Sequence, residues 1–218
     1  MSQDCCIIIP AFNEEENISK TILSLKKYDF YIIVINDGST DLTQKLLSKL
    51  NVDIVNHKSN LGYDKAIESG FKRALDLKYN FVITFDADGQ HDPFYLPLFY
   101  DKLISGFHLV IGQRPKFQRF SEYIFSIYSS LFYGIFDPMC GLKAYNIKLF
   151  IENGCFDNFN SIGTNLMFFG AKQKYPYCNL KIQLTPRNGK SRFGSSIKSN
   201  LIIVLSLFKN IYFNHIKK

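Results

Sequence analysis

Phe81-Val-Ile-Thr-Phe-Asp86-Ala-Asp88-Gly-Gln90-His91 is an apolar run that ends in two carboxylates one residue apart. The run reads as a buried strand. Its C-terminal edge is where open α/β sheets bind ligands. Alternation along an extended chain directs Asp86 and Asp88 to the same side. Two hard oxygen donors placed there suit Mg²⁺ or Mn²⁺ bridging a diphosphate, which itself supplies further ligands. An isolated Asp-x-Asp is also a good solvated turn; the buried strand before it and Gln90 after it favour the metal.

Outward from this strand, apolar runs alternate with amphipathic helical patterns, the arrangement of an α/β domain with a mostly parallel sheet. Strands are expected at Cys5–Pro10, Tyr31–Asn36, Val52–Asn56 and His108–Gly112. The first helix carries Ile18, Ile22 and Leu25 on one face, with Asn13 as N-cap and Glu16 as its capping-box partner. Further helices are expected over Asp41–Leu50, with Leu42, Leu46 and Leu50 one turn apart, around Ile67, Phe71 and Leu75, and over Tyr95–Ser105. Past residue 112 the periodicity weakens. It gives helix over Arg119–Phe136 and Thr164–Lys174, strand over Cys178–Leu184, and a closing helix over Ile197–Phe213 with Leu201, Leu205 and Phe208 on one side.

Two other strand ends carry polar turns. In Ile32-Ile-Val-Ile-Asn36-Asp37-Gly38-Ser39-Thr40-Asp41, Asp37 is placed to accept from a base or ribose and Gly38 lets backbone approach closely. The same residues make a good turn with Ser39 or Asp41 as an N-cap. In Ile9-Pro10-Ala-Phe12-Asn13-Glu14, Glu14 also suits a helix N-terminus.

Taken in order, Pro10-Ala-Phe-Asn-Glu14, Asn36-Asp-Gly-Ser-Thr-Asp41, Asn60-Leu-Gly62 and Asp86-Ala-Asp-Gly-Gln90 resemble family 2 glycosyltransferases with the GT-A fold. Gly112-Gln-Arg114, Asp137-Pro-Met-Cys-Gly141-Leu-Lys143-Ala-Tyr145 and Arg187-Asn-Gly-Lys-Ser191-Arg192 resemble elements of the dolichol- and polyprenyl-phosphate sugar synthase branch. The resemblance implies a Rossmann-like sheet flanked by helices over residues 1–194, followed by an amphipathic C-terminal helix over 195–218. It implies that Pro10, Phe12, Glu14, Ile35 and Asp37 line the nucleoside pocket. Asp86 and Ala87 would lie against diphosphate and ribose, with Asp88 and Gln90 holding Mg²⁺ or Mn²⁺. Arg114, Arg187 and Arg192 would neutralise donor or acceptor phosphates, a role suited to guanidinium geometry. His91 has a structural reading, because Asp92-Pro93 follows it in a turn.

Two positions depart from that branch. Phe12 stands where it usually has Tyr, and Asn165 where it commonly has an acidic residue opposite the donor sugar. Residues 158–218 contain ten Lys and Arg and no Asp or Glu, whereas residues 1–157 are net −3. Transfer to a sugar hydroxyl needs a general base near the anomeric carbon. A phosphomonoester, with a second pKa of about 6, needs none, and its difficulty is charge, which cations relieve.

The expectation is therefore an inverting, metal-dependent transferase moving a hexose from a GDP- or UDP-sugar to a polyprenyl phosphate. The closing helix, flanked by Lys198, Lys209, Lys217 and Lys218, would lie on an anionic membrane surface or pack on the core. No stretch approaches the roughly 20 apolar residues of a membrane span. No leader sequence is evident, and five cysteines without a C-x-x-C pair suit a reducing compartment. The expected location is the cytoplasmic face of a membrane. Two alternatives stay open: transfer to a saccharide hydroxyl, with Asp137 or Asp157 as base, and a non-catalytic nucleotide-sugar-binding subunit. No nucleic-acid motif accompanies the basic segment.

Overall fold

The computed structural model describes residues 4–157, 161–185 and 196–216. A seven-stranded sheet runs in the order β3-β2-β1-β4-β6-β5-β7. Its strands are β1 (Cys5–Ala11), β2 (Tyr31–Asn36), β3 (Asp53–Asn56), β4 (Phe81–Thr84), β5 (Leu109–Gln113), β6 (Lys143–Asn146) and β7 (Tyr177–Lys181). Strands β3, β2, β1 and β4 pair in parallel, as do β5 and β7. The exception is β6, which enters between β4 and β5 antiparallel to both. No strand is expected there from the sequence, because four residues are too few for a period-2 pattern to emerge.

The helices cover both faces. On one lie α1 (Ile18–Leu25), α2 (Thr43–Leu47) and α4 (Tyr95–Ile104), packed on Cys5, Ile7, Ile9, Val34 and Ile83. On the other lie α3 (Tyr63–Asp76), α5 (Phe120–Tyr133), α6 (Ile147–Asn153), α7 (Asn165–Lys172) and α8 (Ser196–Ile211), over Cys6, Ile8, Ile33, Ile35 and Val82. Strand alternation sends odd and even residues of β1 to opposite layers. With both faces covered, β1 and β2 are continuous apolar runs.

Helix α1 buries Ile18, Ile22 and Leu25, as its spacing implies. Its start corrects the capping expectation. Asn13 has a left-handed backbone (φ 53°), and its side-chain oxygen accepts from Thr40 N–H at 2.7 Å rather than capping α1. Asn17 precedes the helix instead, without a side-chain cap. In α2, Thr43 and Leu47 are the buried positions, while Leu42 is exposed. Helix α8 turns Ile203 and Leu207 into the core and continues as a π-helical turn over Tyr212–Ile216. Among the described residues no helix is long and apolar enough to cross a membrane. The five cysteines are free thiols.

Candidate active site

The C-terminal ends of β1, β2, β3 and β4 open into one cleft of about 370 Å³. Parallel strands bring these ends together, so four loops distant in sequence share a rim. The loops are bonded to one another. Asn13 N–H donates to Ser39 Oγ at 3.0 Å, Glu14 N–H to Thr43 Oγ1 at 2.7 Å, and Leu42 N–H to Glu15 Oε2 at 2.9 Å. Thr21 Oγ1 on α1 donates to the Ala87 carbonyl at 3.0 Å, which ties the Asp86–Asp88 loop to the first helix.

Of the positions expected at the nucleoside end, Pro10, Phe12, Glu14 and Asp37 line the cleft. Ile35 does not. It is fully buried among the side chains beneath α3, because strand alternation turns it into the layer below. Gly38 has φ 69°, and a Cβ there would collide with the Ser59 and Asn60 backbone, so the close approach it permits is that of the β3–α3 loop. The Asp37 carboxylate is buried. Its Oδ1 accepts from His57 Nδ1–H at 2.6 Å and Leu61 N–H at 2.9 Å, and its Oδ2 from Gly62 N–H at 2.9 Å.

Asp86, Ala87, Asp88 and Gln90 also line the cleft. Strand β4 ends at Thr84, so both carboxylates lie beyond the strand, with Asp88 on a turn, yet they reach the same cavity. Asp88 Oδ1 accepts the Gln90 backbone N–H at 3.0 Å. Asp86 Oδ2 accepts from His91 Nε2 at 3.1 Å. Burial alone would push the Asp86 carboxyl up. The His91 hydrogen bond and the charges of His91, Lys143 and Arg114 outweigh it and hold the pKa below the usual carboxylate range. His91 is therefore a member of the site through Asp86 as well as a turn residue.

The floor opposite is cationic. Lys143 is 4% exposed and lines the cleft. Burial lowers its pKa, against the opposing pull of Cys140, Asp137 and Asp86. A lysine at the start of a short strand gives no periodic signal in the sequence that it faces a cavity. Arg114 lines the cleft as expected, and it is also locked in place: its guanidinium donates to Asp137 and Glu122, while Arg119 donates to Glu122. Arg187 and Arg192 lie outside the described residues. Asn165 does not face this cleft; it accepts from Asn153 Nδ2 at 3.0 Å and borders a separate small cavity. The turn before α7 brings Ile162 to the cleft in its place.

Among the described residues no cluster of three His, Cys, Asp or Glu side chains could hold a metal alone. The cleft does offer the Asp86 and Asp88 carboxylates and the Gln90 carboxamide, all oxygen donors. Such a partial set fits Mg²⁺ or Mn²⁺ when phosphate oxygens complete the coordination.

Residues 6–163 match the model of glycosyl transferase family 2. An uncharacterized protein of Methanocaldococcus jannaschii is 38% identical over 157 residues, 62% of this chain and 69% of the relative. The UDP-N-acetylglucosamine–dolichyl-phosphate N-acetylglucosaminyltransferase of Methanococcus voltae is 34% identical over 40% of this chain and 42% of its own length. The dolichyl-phosphate hexose transferase of Haloferax volcanii is 23% identical over 92% of this chain and 93% of its own. The chain thus spans less than half of the Methanococcus relative but nearly all of the Haloferax one. Among solved structures, Mycobacterium tuberculosis glucosyl-3-phosphoglycerate synthase superposes with a TM-score of 0.75 at 16% identity, covering 94% of this chain and 78% of that one. That likeness establishes the GT-A fold. The match over residues 6–163, with the motif-bearing loops around one cleft, shows that the chain belongs to glycosyl transferase family 2.

Proposed function

We propose that the protein transfers a hexose, with inversion, from a nucleotide-sugar to a lipid phosphate at an anionic membrane surface. The observation that carries the acceptor is the state of the carboxylates on its side of the cleft. Glu122 is the acidic residue there, and Arg114 and Arg119 hold it at 2.9 Å each. Asp137 is fully buried under Arg114, and Asp157 is buried and accepts from the backbone N–H and hydroxyl of Ser161. Neither borders the cleft. Of the carboxylates that line the cleft, this reading gives Asp86 and Asp88 to the metal and Glu14 and Asp37 to the nucleoside, and Glu122 is held by two arginines, which leaves none as base for a sugar hydroxyl. Lys143, Arg114 and Arg119 instead suit an acceptor that arrives already anionic.

In this reading Pro10, Phe12, Glu14 and Asp37 hold the nucleoside, while Asp86, Asp88 and Gln90 hold Mg²⁺ or Mn²⁺ against the diphosphate. The structure of the mycobacterial neighbour contains Mn²⁺, UDP-glucose and phosphoglyceric acid, and the Methanococcus and Haloferax relatives are named for dolichyl phosphate. The divalent cation would neutralise charge on the leaving diphosphate. The cationic floor brings the acceptor phosphate oxygen to the anomeric carbon. The new carbon–oxygen bond forms on one face as the bond to the diphosphate breaks on the other. Arg187 and Arg192 are assigned to the same phosphates.

The membrane part of the proposal rests on α5 and α8. They pack side by side, with Ser121 Oγ donating to Asn200 Oδ1 at 2.6 Å. Each leaves an apolar row uncovered. On α8 the row Leu201, Leu205 and Phe208 is more than half exposed, while Ser199, Ile203 and Asn210 face inward. Phe120, Tyr123 and Leu131 are equally exposed on α5. The stripe read from the sequence therefore does not pack on the core. Together with the basic C-terminal segment, it suits a peripheral seat at an anionic bilayer. The test is transfer of radiolabelled sugar from a panel of nucleotide-sugars to polyprenyl phosphate in vesicles. Transfer to a soluble saccharide alone would replace the lipid-phosphate acceptor with a hydroxyl.

A further inference from the structure

Asp37, His57 and Ser69 form a chain of hydrogen bonds across three elements. His57 follows β3 and lies between the Asp37 carboxylate after β2 and Ser69 on α3. His57 Nδ1 is 2.6 Å from Asp37 Oδ1, and His57 Nε2 is 2.9 Å from Ser69 Oγ. The side chains of His57 and Asp37 are 9% and 4% exposed, so the chain is shielded from water. A carboxylate only accepts, so the ring nitrogen facing Asp37 carries the proton. In the neutral ring Nε2 then accepts, and the Ser69 hydroxyl donates to it, which fixes both the tautomer and the ring plane. The His57 backbone is anchored as well, its N–H donating to the Asn36 carbonyl at 2.9 Å.

The consequence lies in the acceptor capacity of Asp37. An ionised carboxylate has about four lone-pair positions. Oδ1 fills its two with His57 and Leu61 N–H, and Oδ2 fills one with Gly62 N–H. One position is left, on a side chain that borders the cleft. A nucleobase meeting it can place one N–H there. Uracil presents a single ring N–H flanked by two carbonyl oxygens. Guanine presents a ring N–H and an adjacent amine in parallel, and needs two acceptors side by side. Cytosine and adenine present an exocyclic amine N–H beside an unprotonated ring nitrogen, so one free acceptor separates uracil most sharply from guanine.

We infer that His57, locked by Ser69, is a positioning residue that restricts Asp37 to one free acceptor and so makes the donor site select uridine over guanosine nucleotides. The inference rests on the cleft being a nucleotide-sugar site. It narrows the donor from a GDP- or UDP-sugar to a UDP-sugar. Guanine bound at this position leaves an amine donor buried without a partner, at about 1–3 kcal/mol or roughly ten- to a hundredfold in affinity.

The test is calorimetric titration of the full chain with UDP and with GDP in the presence of Mn²⁺, with thermal unfolding as a check on each variant. Wild type is expected to prefer UDP by at least about tenfold. His57→Ala removes a donor from Oδ1 and lets the carboxylate swing, so UDP binding weakens and the preference collapses. His57→Asn places an amide N–H where Nδ1–H was, and restores the preference. Ser69→Ala keeps the imidazole but removes its lock, and lowers the preference in part; with His57→Asn it decides the matter should His57→Ala not fold. Equal wild-type affinity for the two nucleotides overturns the inference. So does a preference unchanged in both His57→Ala and Ser69→Ala. If neither nucleotide binds, the nucleotide-sugar reading falls and the inference falls with it. UDP binding indifferent to His57 and Ser69 leaves that reading standing and removes the inference alone.

Discussion

The Arg114 guanidinium meets the fully buried Asp137 carboxylate through two parallel hydrogen bonds, Nε to Oδ2 at 2.7 Å and Nη2 to Oδ1 at 2.8 Å. The Arg114 backbone N–H adds a third at 3.0 Å. Burial works against the charge on Arg114, but the Asp137 hydrogen bonds and charge prevail and raise its pKa. This pair anchors the strand-end loop after β5 to the segment before β6, and it holds the cationic floor in place. Asp137→Asn leaves a buried guanidinium with Glu122 as its remaining acidic partner. The expected cost is about 3–5 kcal/mol, read as a fall in melting temperature of roughly 10 °C for a chain of this size.

Asp88→Asn has a different signature. Asp88 stands on a turn at the cleft edge, beyond the end of β4, and its bond from the Gln90 backbone N–H is one that an amide oxygen can also accept. The expected result is turnover reduced by orders of magnitude with an unchanged melting temperature. Excess EDTA should have the same effect on the wild type, reversed by Mn²⁺ or Mg²⁺. Full turnover in EDTA would remove the metal from the site.

Gly141 lies so close to Asp86 that a Cβ at that position would overlap the carboxylate. Asp86 cannot yield without leaving His91 Nε2, to which it is bonded at 3.1 Å. Gly141→Ala should therefore displace Asp86 from the cleft. Donor binding measured by calorimetry should weaken at least about tenfold, the scale of one hydrogen bond to a charged group. Unaltered donor affinity would mean that Asp86 does not touch the donor.

How legible was this site beforehand? The buried strands β1, β2 and β4 announced themselves as apolar runs ending in Asp, Asn or Pro, and with them came Pro10, Phe12, Asp37, Asp86 and Asp88. Their shared cleft follows from parallel pairing. Three things were hidden. Ile35 was assigned by position in a motif, whereas strand alternation turns it inward. Asn13 looked like a helix cap because Glu16 follows at capping-box spacing, but its carboxamide bonds Thr40, on a loop 27 residues away. Lys143 and His57 have their partners on other elements, and no local period reports those contacts.

Asp64 supplies a pH dependence. Burial, then the charge of Asp157, push its carboxyl up to about 7, against the pull of the Gly163 and Ile162 N–H groups. Its Oδ1 is buried without a hydrogen-bond partner. A carboxyl whose pKa is raised in the fold binds its proton more tightly there than in the unfolded chain. It therefore contributes stability below about pH 4 that is lost as pH rises toward 7, at about 1.4 kcal/mol per tenfold change in proton affinity. Asp64→Asn removes this titration and puts an amide where the unpartnered oxygen was. The variant's melting temperature minus that of wild type should be near zero at pH 4 and grow steadily up to pH 8. A difference independent of pH would show that Asp64 does not titrate in this range.

The exposed rows on α5 and α8 make the membrane reading testable apart from catalysis. Leu205 and Phe208 are 51% and 63% exposed, so replacing both with Glu costs the fold little. The same change puts two negative charges into the face proposed to meet anionic lipid. Wild type should co-sediment with vesicles containing phosphatidylserine or phosphatidylglycerol and bind neutral vesicles less. The basic segment adds about 1 kcal/mol per Lys or Arg close to such a surface. That attraction decays within a Debye length of about 8 Å at physiological ionic strength, so salt should release part of the bound protein. The Leu205→Glu, Phe208→Glu double variant should stay in the supernatant at every lipid composition, with its melting temperature and UDP affinity intact. Its turnover on polyprenyl phosphate in vesicles should fall in step with the lost binding. Co-sedimentation equal to wild type would show that these helices do not face the bilayer.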